Sequence, residues 1–164
     1  MQTRKAASTM HSRFAKYIKS LHPSLERLIA MPPVKAYALP ANTPASGIYL
    51  LSDGHRHLYV GRSRRLRSRI QRHSRPGASY RSAAFAFQLA REMTGHKKAT
   101  YKTEGSRREL SKDPKFAKAF QKAKDRIRQM DVRYVREPHP LRQALLEMYA
   151  AVALGTRYND FDTH

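Results

Sequence analysis

The sequence predicts an α/β domain of the α+β type, in which helices flank a small three-stranded antiparallel sheet. Two short segments, residues 47–49 (GIY) and 59–61 (YVG), lie on either side of the turn sequence Asp53-Gly54 and predict a β-hairpin. An alternating segment at residues 131–137 predicts the third strand. Elsewhere apolar residues recur at helical spacing, which places helices around the sheet.

The first 45 residues are expected to form an extension of the domain, which itself spans residues 46–164. Residues 1–12 resemble a basic tail and lack the apolar stretch of a secretory signal. From residue 13 to 31 the helical spacing is interrupted by Pro23, so we expect two short helices or one broken helix. An extended linker is then indicated by four prolines, namely Pro32, Pro33, Pro40 and Pro44.

The hairpin is expected to bring two tyrosines together. Tyr49 and Tyr59 are equidistant from Gly54, so a symmetric loop would place them directly opposite each other on one face of the sheet. A bulge in either strand would offset the two rings.

A helix is predicted at residues 64–75, and the Pro-Gly pair that follows ends it. Leu66 and Ile70 supply its apolar stripe. Arg69 and His73 are one helical turn apart and flank that stripe, so we expect both to face the sheet.

Residues 76–130 are expected to form an insertion before the third strand, composed of two helices and a basic loop at 95–112. The first helix covers residues 81–94, and the second begins at Pro114 and ends near Gln129. The residues of the first helix expected to be buried are Phe85, Phe87, Leu89 and Met93. The stripe of the second consists of Phe116, Phe120, Ala123 and Ile127.

A final helix is predicted from Pro140 to Leu154 and is stopped by Gly155. Its expected apolar stripe consists of Leu141, Leu145, Met148 and Val152. Glu147 lies roughly 100° from the centre of that stripe, at the rim between core and solvent.

The net charge of the chain indicates the class of molecule that it binds. Lys and Arg total 33 against 12 Asp and Glu, a formal net charge of +21, and nucleic acid is the polyanion expected to balance it. DNA is expected more than RNA, and no apolar run is long enough to span a membrane. The absence of cysteine excludes thiolate chemistry and fits a cytoplasmic protein.

Five residues form a plausible set for cutting a phosphodiester. Arg69 could hold two phosphate oxygens, and His73 could share a proton. Glu147 could hold Mg²⁺ or Mn²⁺ through one oxygen while waters fill the other positions. Tyr49 or Tyr59 could take a proton from water, at a cost of about 4 kcal/mol for a free phenol near pH 7. Each residue also has an ordinary structural explanation, such as a solvated arginine or a strand-forming tyrosine.

Further arginines are expected to follow a nucleic-acid backbone. They lie around the hairpin end and along the predicted helix at 64–75, and are Arg62, Arg64, Arg65, Arg67, Arg72 and Arg75.

Taken together, these residues resemble the GIY-YIG nuclease superfamily. The matching elements, in order, are Gly47-Ile48-Tyr49, Tyr59-Val60-Gly61, Arg69, His73, Glu147 and Asn159. The resemblance covers about residues 46–75 and 131–160. Val60 departs from the isoleucine of the family pattern, and the insertion is longer than a minimal member requires.

The resemblance implies a DNA endonuclease that uses one divalent cation. It implies that Glu147 ligates the metal, that Arg69 neutralises the scissile phosphate and that Tyr49 is the general base. Tyr59 and His73 would hydrogen-bond water or phosphate. The supporting residues would be Gly47, Gly61 and Asn159. The insertion is interpreted as an elaboration that grips nucleic acid.

Two alternatives stay open at this point. One is a nucleic-acid-binding module that keeps the fold without cutting, and the other is a basic RNA-associated protein whose tyrosines stack on unpaired bases. The presence of Glu147 argues against a module that only binds.

Overall fold

The computed structural model of the chain describes residues 10–96, 106–159 and 161. The predicted basic tail, the predicted basic loop and the end of the chain therefore lie partly outside the described residues. The elements, in chain order, are α1 (Ser12–Lys19), α2 (Leu21–Ala30), β1 (Val34–Lys35), β2 (Gly47–Asp53), β3 (Arg56–Ser63), α3 (Leu66–Ser74), α4 (Ala84–Met93), α5 (Arg107–Leu110), α6 (Pro114–Gln129), β4 (Asp131–Arg136) and α7 (Pro140–Leu154).

The sheet is antiparallel with the strand order β1-β4-β2-β3, so the predicted fold class is confirmed. The three predicted strands form its main part, but the expectation of only three was wrong, because β1 adds a short fourth strand. It pairs Val34 with Val132 and Lys35 with Asp131, and the Lys35 ammonium contacts the Asp131 carboxylate at 2.8 Å. Two residues between prolines are too few to show alternation, so the pattern could not reveal this strand.

The hairpin register differs from the symmetric arrangement. Its two-residue turn is Gly54-His55, where Gly54 has φ +59°, and a bulge shifts the register between Leu51 and Ser52. Tyr59 therefore pairs with Leu51, and Tyr49 pairs with Gly61. A symmetric loop would place the two tyrosines directly opposite each other. They lie diagonally instead, with ring centroids 6.2 Å apart.

One face of the sheet is covered by α3, α4 and α6. Their buried side chains join Tyr49 and Leu51 in one core cluster, with Phe85 and Phe87 from α4 and Phe116 from α6 among its largest members. The inserted helices are thus a layer of the core, with α5 as a short additional helix.

The burial predicted for α4 holds for its two phenylalanines and for Leu89, but not for Met93, which is 51% exposed. Met93 is the last residue of α4 and lies beyond Ala90, the last buried position in that helix.

The other face is covered by α2 and α7. Leu21, Leu25 and Leu28 of α2 pack with Leu50 and Leu146 in a second core cluster. Residues 21–30 therefore belong to the core of the domain rather than to an appendage, and no separate core lies before residue 46 in the described part of the chain.

The break between α1 and α2 falls at Ser20 rather than at Pro23. Pro23 lies in the first turn of α2, where the missing N–H removes no helical hydrogen bond.

The bounds of α7 match the prediction, and Gly155 ends the helix in the left-handed conformation with φ +58°. Its predicted buried stripe was wrong. Leu141, Met148 and Val152 are 48%, 53% and 71% exposed, and Leu145 is only partly buried. The residues of α7 that are buried are Gln143, Leu146, Ala150 and Ala151. Small alanines let the helix approach the sheet closely, and apolar residues on several sides of the helix left its inward face ambiguous.

Among the described residues, no helix combines the length and apolar character needed to cross a lipid bilayer.

Candidate active site

The candidate site lies where β2, β3, α3 and α7 meet, and two glycines make room for it. A Cβ atom at Gly61 would lie 2.4 Å from both Cζ and Oη of Tyr49. A Cβ atom at Gly47 would lie 2.0 Å from the carbonyl oxygen of Val135. Glycine at 61 therefore lets the Tyr49 ring lie over the neighbouring strand, and glycine at 47 lets β2 approach β4.

Tyr49 and His73 form a buried hydrogen-bonded pair. Neither side chain has exposed surface, and Tyr49 Oη lies 2.6 Å from His73 Nε2. Burial, together with the charge of Arg69, lowers the pKa of His73 to about 3, so its imidazole is neutral at physiological pH. Burial, followed by the proximity of Tyr59, raises the pKa of Tyr49 well above its ordinary value of 10.0.

The unpaired atom of His73 indicates which way this hydrogen bond runs. His73 Nδ1 is buried and has no hydrogen-bond partner among the described residues. A proton on Nδ1 would bury an unpaired donor, whereas a proton on Nε2 leaves only an unpaired acceptor, which costs less. The environment therefore favours His73 Nε2 donating to Tyr49 Oη. The hydroxyl hydrogen of Tyr49 is then free to point toward the rest of the site.

Tyr59 is the more accessible of the two phenols. Its ring stacks on Phe85 of α4 with centroids 4.9 Å apart and planes inclined by 11°. Burial raises its pKa, and the charge of Arg69 and a hydrogen-bond interaction with Tyr49 act in the opposite direction. The Tyr49 ring lies next to that of Tyr59, with ring centroids 6.2 Å apart.

Arg69 extends from α3 to the loop before α4. Its Nη1 donates to the carbonyl oxygen of Ser82 at 3.0 Å, and its side chain is half-buried. Burial opposes the charge of Arg69, but Tyr49 and Tyr59 outweigh that effect and raise the pKa of the guanidinium. Arg69 thus presents a fixed positive charge beside both phenols.

Glu147 reaches the same region from α7. Burial raises the pKa of its carboxyl group, while Arg62 on β3 and Arg69 lower it. Arg62 Nε donates to Glu147 Oε2 at 2.8 Å. Arg62 was predicted as a residue that contacts nucleic acid, and in this structure its partner is the acidic group of the site.

The site offers few protein ligands to a divalent cation. No group of three His, Cys, Asp or Glu side chains suited to a metal occurs among the described residues. Glu147 is the carboxylate that interacts with Tyr49, Tyr59 and Arg69. Mg²⁺ fits this arrangement, because it is commonly held by one or two carboxylates and keeps several waters. The carboxylate is half-buried, and its raised pKa shows that Arg62 does not fully offset the cost of burial. A cation would complete that compensation.

Asn159 supports the site from the segment after α7. Its Oδ1 accepts the backbone N–H of Val60 at 2.8 Å, and its Nδ2 donates to the backbone carbonyl of Val60 at 2.7 Å. These bonds cover the free edge of β3, next to the residues that form the site.

The remaining predicted arginines are divided between two kinds of environment. Arg67 donates to the carbonyl oxygen of Pro40 at 2.6 Å and so ties α3 to the proline-containing segment. Arg64, Arg65 and Arg72 are exposed beside Arg69, and Arg75 is exposed at the end of α3.

Two features of the site were not anticipated. The sequence predicts Phe85 only as a buried helix residue, and it does not indicate a role for the carbonyl of Ser82. Their partners, Tyr59 and Arg69, are distant in sequence, so no local spacing marks either contact. The aromatic run around Phe85 was the only available signal.

Comparison of the chain with protein-family models, with curated proteins and with solved structures gave no match.

Proposed function

We propose that the protein is a divalent-metal-dependent endonuclease that hydrolyses phosphodiester bonds in DNA, in the manner of the GIY-YIG superfamily it resembles. The observation that carries the proposal is the convergence of two phenols, a guanidinium and a carboxylate from four separate elements. Arg69 alters the pKa of Tyr49, Tyr59 and Glu147, so all four groups lie within electrostatic reach of one another.

Arg69 is the group best suited to the scissile phosphate. The hydrogen bond to the Ser82 carbonyl fixes the position of its guanidinium group. A planar guanidinium can donate to two phosphate oxygens. Negative charge develops on those oxygens during attack by water, and a pre-positioned guanidinium stabilises that charge without rearranging.

Tyr59 is better placed than Tyr49 to take the proton from the attacking water. Tyr59 is partly exposed, whereas Tyr49 is fully buried. Both pKa values are raised, so both phenols are protonated at neutral pH and must lose a proton before either can act as a base. The hydroxyl hydrogen that Tyr49 keeps when His73 donates to it would support an ionised Tyr59. We therefore propose a supporting role for Tyr49 behind Tyr59, in place of the role of base that the resemblance implied.

Glu147 is the residue that would hold Mg²⁺ or Mn²⁺, with Arg62 orienting its carboxylate. A bound cation would supply the positive charge that lowers the pKa of water and neutralises the phosphate. The proposed place of action is the cytoplasm, the compartment expected for a sequence without cysteine.

The test is cleavage of supercoiled plasmid in Mg²⁺ or Mn²⁺, with and without chelator. We expect nicking by the wild type, no nicking with chelator, and at least a hundredfold slower nicking by Glu147→Gln. Glu26→Gln is the matched control, because Glu26 lies exposed on α2, outside the site. Cleavage by Glu147→Gln at the wild-type rate would show that the site is wrongly assigned.

Binding to the same plasmid and to RNA, measured in chelator, distinguishes the alternatives. Tight DNA binding without cleavage under any cation would favour the non-catalytic module. Preferential binding to RNA would favour the RNA-associated protein.

A further inference from the structure

A cavity of about 650 Å³ lies next to the candidate site, on the solvent side of α3. The residues that line it are serines and arginines, namely Ser63, Arg64, Arg65, Ser68, Arg69 and Arg72. We call this cavity the arginine basin. Four guanidinium groups around one opening, with no carboxylate in the lining, make it suited to an anion.

The cations of the arginine basin are available to a ligand. Arg64, Arg65 and Arg72 are exposed, and their guanidinium groups form no hydrogen bond or ion pair with the part of the chain that the structure describes. By contrast, Arg67 on the same helix is bonded to Pro40, and Arg62 is bonded to Glu147. Unpaired cations gathered around one cavity repel each other, and a bound polyanion relieves that repulsion.

The basin is continuous with the candidate site through one residue. Leu66, Ile70 and His73 form the buried face of α3, while positions 65, 68 and 72 lie on the neighbouring face. Arg69 lies at the border between the basin and the site, since it lines the basin and also interacts electrostatically with Tyr49 and Tyr59. A phosphate in the basin would therefore be a close neighbour of a phosphate held at the site.

The dimensions fit consecutive phosphates of one strand. From Arg65 to Arg72 the helix rises about 10 Å, at about 1.5 Å per residue. Phosphates of one DNA strand advance about 3.4 Å along the duplex axis per nucleotide. The wall of the basin thus extends over roughly three nucleotides.

We propose that the arginine basin binds the backbone phosphates adjacent to the one that is cut, with Arg69 between the bound and the reacting phosphate. This inference rests on the proposed function, and it adds that the substrate must carry phosphates beyond the scissile one. The basin makes a polynucleotide a better substrate than a small phosphodiester, without reading any base.

The test uses the double variant Arg65→Ala/Arg72→Ala and a control that removes the same charge elsewhere, Arg13→Ala/Arg56→Ala. Arg13 lies on α1 and Arg56 at the hairpin turn, away from the basin. Binding to a labelled DNA duplex is measured in chelator over a range of salt concentrations, so no turnover is needed. We expect the basin variant to bind about tenfold more weakly than the control at low salt, with a slope of log K against log salt that is smaller by about 1 to 2.

Cleavage kinetics provide the second arm. The basin variant should show a raised KM and a nearly unchanged kcat on DNA, and it should hydrolyse bis(p-nitrophenyl) phosphate, which has a single phosphate, at the wild-type rate. Equal DNA binding by the basin variant and the control would overturn the proposal, as would an equal loss of activity on DNA and on the small diester. If no substrate is cut but the binding difference appears, the proposed hydrolysis fails while the basin stands.

Discussion

Gly61→Ala tests the geometry on which the candidate site depends. The added Cβ would lie 2.4 Å from Cζ and from Oη of Tyr49, and 2.8 Å from a third ring atom. These distances are far below van der Waals contact, and Tyr49 is fully buried, so its ring has no free space into which it can move. The substitution must displace either the ring or the strand that carries residue 61.

The expected cost has two parts. Forcing an extra methyl group into a packed core costs about 1–3 kcal/mol. Displacing the ring also breaks the 2.6 Å hydrogen bond to His73, whose Nδ1 is already unpaired. Leaving buried polar groups without partners costs a further 1–3 kcal/mol, roughly. The sum is about 2–6 kcal/mol, which in a chain of this length lowers Tm by roughly 5–20 °C.

Gly77→Ala is the matched control. No atom lies within 4 Å of the Cβ position at Gly77, and its φ is not positive. This variant should be neutral or more stable by up to about 1 kcal/mol, because alanine restricts the unfolded chain.

The assay is thermal and denaturant unfolding of both variants, followed by plasmid nicking. We expect Gly61→Ala to be less stable than Gly77→Ala and to nick much more slowly even below its Tm. If the two variants melt within roughly 2 °C of each other and nick equally fast, the Tyr49 ring does not lie over residue 61.

Two further predictions concern residues around the phenols. Phe85→Leu should slow nicking about tenfold and leave DNA binding in chelator unchanged, because Tyr59 loses its stacking partner. Phe87→Leu is the control and should keep the wild-type rate, since Phe87 is equally buried but contacts other rings. Equal slowing by both variants would contradict a positioning role for Phe85. His73 should make the free energy of unfolding pH-dependent, because its pKa is about 3 in the folded chain and near 6.5 in the unfolded chain. Its contribution to stability is full above pH 6.5 and falls by about 1.4 kcal/mol per pH unit as the pH drops toward 3. Denaturant unfolding of wild type and His73→Gln from pH 7 to pH 4 checks this, and parallel stability curves would exclude a buried neutral histidine.

Much of the fold could be predicted from local signals. Pro114 and Pro140 begin α6 and α7, and Gly155 ends α7, because proline is favoured in the first turn of a helix and glycine readily adopts the left-handed conformation. Strong spacing in α6 predicted its buried side chains Phe116 and Ile127.

Other features depend on contacts that no short window contains. The Gly54-His55 turn and the bulge in β3 each shift the pairing by one residue, and together they offset Tyr59 from Tyr49. The bulge is not marked by glycine or by a break in alternation. The buried face of α7 was predicted wrongly because its apolar residues occur on several sides, and the sheet selects the small ones.

For the site, the motif spacing marked Tyr49, Tyr59, Arg69, His73 and Glu147, and the structure brings them together. The partners that orient them could not be predicted in the same way. Arg62 is one among many arginines, and nothing in its neighbourhood in sequence shows that it binds Glu147 in a distant helix. The contact between Tyr59 and Phe85 likewise arises only when α4 packs on the sheet.

If a phenol of this cluster takes part in cutting DNA, Tyr59→Phe should abolish most of the activity. The substitution removes one oxygen and leaves the ring stacked on Phe85. Tyr80→Phe is the control, since Tyr80 packs near Phe87, outside the site. Under single-turnover conditions with Mg²⁺, we expect nicking by Tyr59→Phe to be at least a hundredfold slower than by wild type or Tyr80→Phe. Equal rates for all three proteins would show that the Tyr59 hydroxyl has no part in cleavage.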